Sequence, residues 1–230
     1  LDYPPDALEI LVISDGSSDA TVETVRGYQD PRLELIEIAE RKGKANALNR
    51  GLEKARGEVV VFTDASIMLE PGALRRIVRH FQDPRVGCVS GEDRIDELGG
   101  EGLYGRYELF LRRAESRVAS IAGASGCFYA ERREICRPFE EGMAPDFLSV
   151  LNAAEAGYRS ISDPEATGAM RSMRDPGDEF RRKVRTLVRG FTALAARFHL
   201  LNPFRYGLFA FVLFSHKLMR WTVPLFLLLA

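Results

Sequence analysis

Short apolar runs alternate with amphipathic segments along the first half of this 230-residue chain, and this alternation limits the folds it can adopt. Four runs are typical of strands: EILVIS (9–14), LELIEI (33–38), EVVVFT (58–63) and VGCVSG (86–91). Helical patterns lie between them, over residues 18–28, 43–55 and 71–81. Strands that are apolar throughout are typical of sheets covered on both faces. The sequence therefore predicts an α/β fold with a mostly parallel central sheet flanked by helices.

The second half of the chain is less regular, but it still divides into elements. We expect a long helix, a short strand, a helix, an edge strand and a basic amphipathic helix, over 103–122, 127–130, 146–157, 158–162 and 178–198. The sequence contains no internal repeat and no low-complexity linker. We therefore expect one catalytic-type domain over 1–175, a basic membrane-proximal helix over 176–205, and an interfacial segment over 206–230.

Charge is distributed unevenly, although the formal net charge is only −1. Residues 171–220 contain eleven Lys and Arg against three Asp and Glu, and the remainder contains 21 against 30. A basic segment on an acidic body commonly meets phosphate, nucleic acid or an anionic membrane surface. The aromatic-rich stretch 191–214 lacks the basic and aromatic strand pattern of a single-strand nucleic-acid binder, so we expect no nucleic-acid partner.

The C-terminal stretch 206–230 is strongly apolar, with His216, Lys217 and Arg220 as its main polar groups. From Trp221 onward ten residues remain, whereas a helix that crosses a bilayer needs about 20. We expect a helix that lies along a membrane interface and then begins a transmembrane segment, with Lys217, Arg220 and Trp221 as interface anchors. A buried core helix is the alternative.

The three cysteines, Cys88, Cys127 and Cys136, show neither an even count nor a CxxC spacing. This pattern disfavours a disulfide framework or a zinc site and suits a reducing cytosolic compartment. The three histidines are scattered, and we assign none of them to a metal.

Two predicted strands end on carboxylates, Asp15 in VISDGSS and Asp64 in VFTDAS. In open α/β sheets, ligands bind beyond the carboxyl ends of the strands. A carboxylate there can accept hydrogen bonds from a base or ribose, or hold a divalent cation, and Gly16 lets the backbone approach a ligand. The alternative for each acid is a helix N-cap. Two acids at the same end of adjacent strands favour the ligand-binding interpretation.

Three stretches in this order resemble inverting family 2 glycosyltransferases of the GT-A fold: ILVISDGSSDAT (10–21), RKGKANALNRGLEKARGEVVVFTDAS (41–66) and APDFLSVLNAAEAGYRSISDPEA (144–166). The resemblance is strongest to bacterial membrane-associated members, in which transmembrane helices follow the catalytic domain. It implies a location at the bacterial inner membrane with the catalytic domain facing the cytoplasm. It also implies that the family's first strand lies just before the point where this sequence begins.

The resemblance implies a role for each matching residue in donor binding. Asp15 matches the acid that contacts the nucleobase, and Asp64 matches the first acid of the DxD motif. Lys42, Lys44 and Asn46, with Asn49 nearby, lie in the nucleotide-side loop, where cations can neutralise phosphate charge. A solvated helix face is the alternative for the two lysines.

Asp146 matches the catalytic base of the family. An inverting transfer needs such a carboxylate to take the proton of the acceptor hydroxyl. Pro145 places it at a helix start, where the helix dipole favours the ionised form. A helix N-cap is the alternative. The stretch GASGCFYA (123–130), with Ser125 and Gly126, resembles the acceptor-side loop of the family.

The leaving diphosphate needs a metal or fixed cations to stabilise its developing charge. Arg182 and Arg185 have the spacing of the QxxRW signature, in which only Arg185 matches a key residue, and this departure argues against processive polymer synthesis. Lipid contact by a basic helix face is the alternative. Ser66 replaces the second DxD acid, so we expect Mg²⁺ or Mn²⁺ held loosely by Asp64.

The sequence thus predicts a hexosyltransferase-type enzyme that transfers sugar from a UDP- or GDP-sugar to a glycan or lipid-linked hydroxyl acceptor. Two other interpretations stay open at this point. One is a nucleotidyltransferase on a related sheet. The other is a catalytically silent nucleotide-sugar-binding or scaffold protein, which Ser66 favours and which Asp146 and Arg185 disfavour.

Overall fold

The computed structural model describes residues 1–95, 100–170 and 176–223. Its strands are β1 Ile10–Asp15, β2 Leu33–Ile38, β3 Val59–Thr63, β4 Ile67–Leu69, β5 Val86–Ile95, β6 Phe128–Arg132 and β7 Arg159–Met170. Its helices are α1 Thr21–Arg26, α2 Lys44–Lys54, α3 Ala73–Arg79, α4 Gly100–Val118, α5 Pro145–Glu155, α6 Pro176–Ala196 and α7 Pro203–Val212. A π-helical segment, Leu213–Leu218, continues α7. The predicted start of a transmembrane segment falls largely on residues 224–230, which lie outside the described residues.

The strands form two sheets, a parallel β1–β2 pair and a five-stranded sheet of order β3-β6-β5-β7-β4. Only the β5–β7 pair of the larger sheet is parallel, so the prediction of a mostly parallel sheet is wrong for the described strands. Phe128, at the start of β6, lies opposite Thr63, at the end of β3, so β6 runs back between β3 and β5. A strand covered on both faces is apolar in either direction, and its composition therefore does not reveal its orientation.

Three strand segments were missing from the predicted pattern. β4 has three residues, β5 continues past Gly91 to Ile95, and β7 extends the predicted edge strand by eight residues, from 163 to 170. The added part of β7 begins DPEATG, whose acids and proline are typical of a turn. Asp163 is nevertheless buried, and its carboxylate accepts hydrogen bonds from Arg79, the last residue of α3, and from His80, which follows it.

The C-terminal helices share the core of the α/β domain. Leu194 of α6, Phe209 of α7 and Leu213 of the π-helical segment are buried in one cluster with Phe147 and Leu151 of α5. Tight apolar packing of this kind gives the helices a fixed position on the domain. Within the part of the chain that the structure describes, no helix combines the length and the apolar character needed to span a membrane.

The three predicted membrane anchors contact protein instead. The Trp221 ring packs edge-on against Phe147, with 6.0 Å between ring centroids. Arg220 forms an ion pair with Glu108 of α4, and Lys217 reaches the ring of Phe147. The anchor prediction is therefore wrong for these side chains. The chain uses their amphipathic character to dock the C-terminal segment onto α4 and α5.

A buried carboxyl lies in the middle of the larger sheet. Glu131 of β6 is 1% exposed, and one of its carboxyl oxygens has no hydrogen-bond partner among the described residues. Burial disfavours the charged form and raises the pKa of Glu131 from 4.5 to about 8. The Glu131 carboxyl is therefore protonated at neutral pH.

Glu131→Gln should become more stabilising, relative to wild type, as the pH rises from 5 to 8. In this range the unfolded Glu131 has lost its proton while the folded one retains it, because its pKa is about 8. Unfolding then releases a proton, so wild-type stability falls with rising pH, and the glutamine removes this dependence. Urea denaturation of both proteins across this range measures the difference. Glu23→Gln, the same change at an exposed position of α1, is the control, and parallel curves for Glu131→Gln and wild type would refute the assignment.

Candidate active site

Asp15, at the end of β1, holds the loop that precedes α2. Its carboxylate accepts hydrogen bonds from the backbone N–H groups of Lys42, at 2.9 Å, and Gly43, at 2.6 Å. Gly16 follows with a φ of +63°, and a Cβ atom there would lie 2.7 Å from the backbone nitrogen of Arg41. Only glycine accepts both the left-handed conformation and this close approach. The end of β1 and the loop 41–44 are therefore fixed against each other.

Lys44 connects the loop to the second predicted acid. Its ammonium donates to Asp64 Oδ1 at 2.6 Å and to the carbonyl oxygen of Gly126 at 3.3 Å. The backbone N–H of Asp64 donates to the carbonyl of Cys127 at 3.0 Å. This bond holds the end of β3 against the loop before β6. Lys44 thus joins the start of α2, the end of β3 and the loop before β6.

The two acids do not end on adjacent strands, contrary to the prediction. Among the described strands β1 pairs only with β2, and β3 pairs only with β6. The loop 41–44 instead connects the acids, since Asp15 binds its backbone and Asp64 binds the side chain of Lys44. The predicted convergence of Asp15 and Asp64 on one region is therefore present, but a loop produces it.

Asp146 lies in the first turn of α5, directly after Pro145. Burial raises the pKa of this carboxyl, and the positive charges of Lys217, Lys44 and Arg112 and its own backbone N–H oppose the rise. A carboxylate with a raised pKa is a stronger base than an exposed one. Asp146 therefore has the electrostatic character expected of a general base.

The loop 123–126 lies beside Asp146. Ser125 is buried, and its hydroxyl donates to Asp93 Oδ1 at 2.6 Å while its N–H donates to the Ser90 hydroxyl at 2.8 Å. A Cβ atom on Gly126 would lie 3.9 Å from Asp146 Cγ. Ser125 thus shapes the loop from inside, and Gly126 exposes the loop backbone beside the carboxyl.

Three cations line a cavity of about 180 Å³ at the start of α2: Lys42, Lys44 and Arg189. Gly142, Met143 and Pro145 from the segment before α5 form another wall, together with Glu141. No ion pair is seen for Lys42 or Arg189 within the described ranges. An anion with several negative charges, such as a diphosphate, would complement this cavity.

The remaining predicted donor-side residues differ in their surroundings. Arg185 is exposed on α6, one turn before Arg189, and does not line the cavity. The Asn46 amide nitrogen is buried without a hydrogen-bond partner in the described part of the chain. The Asn49 amide bonds both backbone groups of Phe139, so its role is structural.

The protein side chains near Asp64 do not form a metal centre by themselves. Ser66 is exposed in the turn between β3 and β4, and the described residues contain no group of three His, Cys, Asp or Glu side chains placed to hold one ion. Asp64 is half-exposed, and among the described residues only one of its carboxylate oxygens is paired, with Lys44. Mg²⁺ is often bound through one carboxylate and substrate phosphates. Asp64 therefore suits a divalent cation shared with a diphosphate.

Four charged residues of this region were missing from the sequence-based set: Asp93, Arg112, Arg189 and Lys217. The charges of Asp93, Asp64 and Asp146 all act on the Cys127 thiol, where burial is the largest of the effects that raise its pKa to about 12. The thiol thus lies among three carboxylates and stays protonated. Sequence offers no local signal for the four residues, because each comes from a different element and the tertiary fold brings them together.

Comparison with known proteins identifies related sequences. The family model described as glycosyl transferase family 2 matches residues 1–137. A poly-beta-1,6-N-acetyl-D-glucosamine synthase of Staphylococcus aureus is 36% identical over 130 residues, which are 52% of this chain and 31% of that protein. The synthase of the same name from Staphylococcus epidermidis is 30% identical over 138 residues, 56% of this chain and 32% of that protein. The chain therefore spans about a third of the length of these relatives.

A solved structure matches nearly the whole chain. The mannosyltransferase PcManGT from Pyrobaculum calidifontis, in complex with GDP-Man and Mn²⁺, has a TM-score of 0.77 and 30% sequence identity. The match covers 97% of this chain and 65% of that one. The GT-A-like α/β fold, with a central sheet and flanking helices, is therefore confirmed.

Proposed function

This chain belongs to glycosyl transferase family 2, and we propose that it transfers a sugar from a nucleoside-diphosphate sugar to a hydroxyl acceptor with inversion. The observation that carries the proposal is the placement of the half-buried Asp146 carboxyl beside Gly126, whose carbonyl accepts a hydrogen bond from the Lys44 that pairs with Asp64. A base and a cation-lined anion site thus flank one loop, as a displacement reaction requires.

In the proposed reaction Asp146 takes the proton of the acceptor hydroxyl. The acceptor oxygen forms a bond to the anomeric carbon on the face opposite the donor phosphate. The bond between that carbon and the diphosphate oxygen breaks, and its electron pair leaves on the nucleoside diphosphate. The raised pKa of Asp146 supports this role, because a more basic carboxylate accepts the proton more readily.

The leaving diphosphate would lie against Lys42, Lys44 and Arg189, the cations of the cavity at the start of α2. Fixed positive charges stabilise the negative charge that develops on the leaving oxygen. Asp15 would act indirectly, by fixing the backbone of this loop, in addition to its proposed contact with the nucleobase. Gly16 and Asn46 belong to the same proposed donor site, and Arg185 stays a prediction.

A divalent cation, Mg²⁺ or Mn²⁺, would be held by Asp64 and the donor diphosphate. When bound, it would supply further charge stabilisation for the leaving group. The Mn²⁺ and GDP-Man of the mannosyltransferase PcManGT support this assignment by analogy. We propose a UDP- or GDP-sugar as donor and a glycan or lipid-linked hydroxyl as acceptor.

Asp146→Asn should lower sugar transfer by about 10² to 10⁴-fold while donor affinity stays close to that of wild type. The amide keeps the size of the side chain but cannot take a proton. Transfer of radiolabelled sugar, measured with calorimetric titration of the donor, separates the two quantities. Asp6→Asn, the same change at an exposed position near the N-terminus, is the control. An Asp146→Asn variant with full activity would show that another group is the base.

An activity assay of the wild-type protein distinguishes a glycosyltransferase from the main alternative interpretation. A nucleotide-sugar-binding protein without activity would bind UDP- or GDP-sugars but neither transfer nor hydrolyse any of them, with membrane lipid present. The exposed Ser66 in place of a second acid is the observation that favours this alternative. Turnover of any nucleotide-sugar would exclude it.

Removal of divalent cations should weaken donor binding without abolishing it, because the three cations of the cavity remain. Asp64→Asn should reduce the effect of Mn²⁺ on donor affinity to a small residual, with a loss of about tenfold at saturating Mn²⁺. Calorimetric titrations with Mn²⁺, with Mg²⁺ and with a chelator measure these affinities. Donor affinity that is the same under all three conditions would contradict a metal shared with the diphosphate.

Membrane association is part of the proposal and has its own support. Five apolar side chains on one stripe of α6 are exposed: Phe180, Val184, Leu187, Val188 and Phe191. Phe204, Leu208 and Phe211 of α7 are exposed as well, and Phe204 is 100% exposed. The same α6 helix carries Arg181, Arg182, Lys183, Arg185 and Arg189. An apolar stripe with basic neighbours is the pattern of a helix that binds an anionic membrane surface.

We therefore place the protein at the cytoplasmic face of a bacterial inner membrane as a proposal. The full chain should bind vesicles that contain phosphatidylglycerol more tightly than pure phosphatidylcholine vesicles, and added salt should weaken the binding. The double substitution Val184→Glu and Val188→Glu should reduce vesicle binding at least about tenfold, since it removes two apolar contacts. Met68→Glu, at an exposed apolar position on β4, is the control. Equal co-sedimentation of all three proteins would exclude the α6 stripe as the membrane-binding surface.

A further inference from the structure

Lys217 of the π-helical segment points into the candidate active site. Its ammonium lies 5.6 Å from the centre of the Phe147 ring, and Phe147 is the residue after Asp146. A Cβ atom on Gly123 would lie 2.8 Å from the Lys217 Nζ atom, so the start of the loop 123–126 leaves room for this side chain. Lys217 and Asp146 thus contact opposite ends of the same four-residue loop.

The neighbours of Lys217 hold its helix in place. His216 donates to Glu115 of α4 at 2.5 Å and lies 3.3 Å from Glu108. Arg220, one turn later, pairs with Glu108 as well. Burial lowers the pKa of His216, but the carboxylates at both ring nitrogens outweigh this effect. The pKa of His216 is therefore raised, a shift that favours the charged imidazolium. The contacts of His216 and Arg220 with carboxylates of α4 therefore fix the position from which Lys217 extends.

The surroundings of Lys217 disfavour a simple surface role. Burial lowers its pKa to about 8, and the positive charges of Arg220 and Arg112 add to this effect, whereas the charges of Asp146 and Glu108 oppose it. A buried ammonium is costly unless a negative charge lies close by. The position of Lys217 is therefore explained if a carboxylate of the candidate active site supplies the nearby negative charge.

The Asp146 carboxylate likewise needs an opposite charge close by. The charged and titratable groups that face it from the packed elements are Lys44 of α2, Cys88 of β5, Arg112 of α4, Cys127 just before β6, Tyr129 of β6, and Lys217. Of the positive charges, that of Lys217 has the largest effect on the Asp146 carboxyl. No direct ion pair within 4.0 Å joins the two side chains in the described structure. Their interaction therefore acts through space and leaves the carboxylate oxygens available for an acceptor hydroxyl.

We propose that Lys217 is a positioning residue for the transfer reaction, which keeps the half-buried Asp146 carboxylate ionised and so makes the C-terminal helix a part of the active site. The inference rests on the proposed function, because it assigns Lys217 to the base of that reaction. Lys217 is distant from Asp146 in sequence and belongs to the last helical segment. The sequence alone predicted only a membrane-anchoring role for it. Lys217 lies in a π-helical turn, a feature that is frequent at functional sites.

The test compares wild type with Lys217→Met and Lys217→Arg in the full chain. Methionine keeps much of the side-chain length without the charge, and arginine restores a charge. Carbon-13 NMR of the Asp146 carboxyl should show a titration midpoint about 1 pH unit higher in Lys217→Met, as expected when a nearby opposite charge is removed. Lys217→Arg should return the midpoint toward that of wild type. Lys54→Met, at an exposed lysine of α2, should leave it unchanged.

The pH profile of sugar transfer gives the second readout. The acid limb for Lys217→Met should move upward by the same shift, so that activity on that limb is roughly tenfold lower and the deficit shrinks as the pH rises. An unchanged NMR midpoint would overturn the proposal. So would a loss of activity that is equal at all pH values, since that result indicates a structural role. If wild type shows no transfer but the NMR midpoint shifts as described, the proposed function fails while the influence of Lys217 on Asp146 stands.

Discussion

The ion pair between Lys44 and Asp64 determines how the separate parts of this site meet. Lys44 begins α2, Asp64 follows β3, and the same ammonium also contacts the carbonyl of Gly126 in the loop before β6. Such a pair at a half-exposed position adds little to stability, because water screens it. Its importance is geometric, since it sets the distance between a cation-lined cavity and the loop that leads to Asp146.

A second constraint is the cost of a carboxylate in the interior. Asp146 must be ionised to accept a proton, yet burial favours the neutral form. The fold answers with positive charges from three different elements, supplied by Lys44, Arg112 and Lys217. Glu131 shows a different balance, because burial outweighs the opposing charge of Arg137 and raises its pKa to about 8. The two acids therefore differ in how strongly nearby positive charges oppose the effect of burial on their pKa values.

The sequence predicted the local elements well and their arrangement less well. β1, β2 and β3 and helices α2 and α5 lie within one or two residues of the predicted ranges, because apolar periodicity is a local property. Strand direction is not local, and the predicted parallel sheet is mixed. Asp15, Asp64 and Asp146 were identified because each follows a strand or starts a helix within a recognisable motif. Lys217 was assigned elsewhere, since no motif surrounds it and its partner lies 71 positions away.

The C-terminal helices have two faces with different chemistry, and this division links the site to its surroundings. On α6, Val184 and Val188 are exposed while Leu194 is buried against the core and Arg189 lines the cation cavity. The next segment repeats the arrangement, with Phe214 exposed and Lys217 placed over the ring of Phe147, the residue after Asp146. A surface that contacts the exposed stripe therefore acts on helices that also carry two cations of the site. Because these helices are packed into the core of the domain with α5, Arg189 and Lys217 hold fixed positions relative to Asp146.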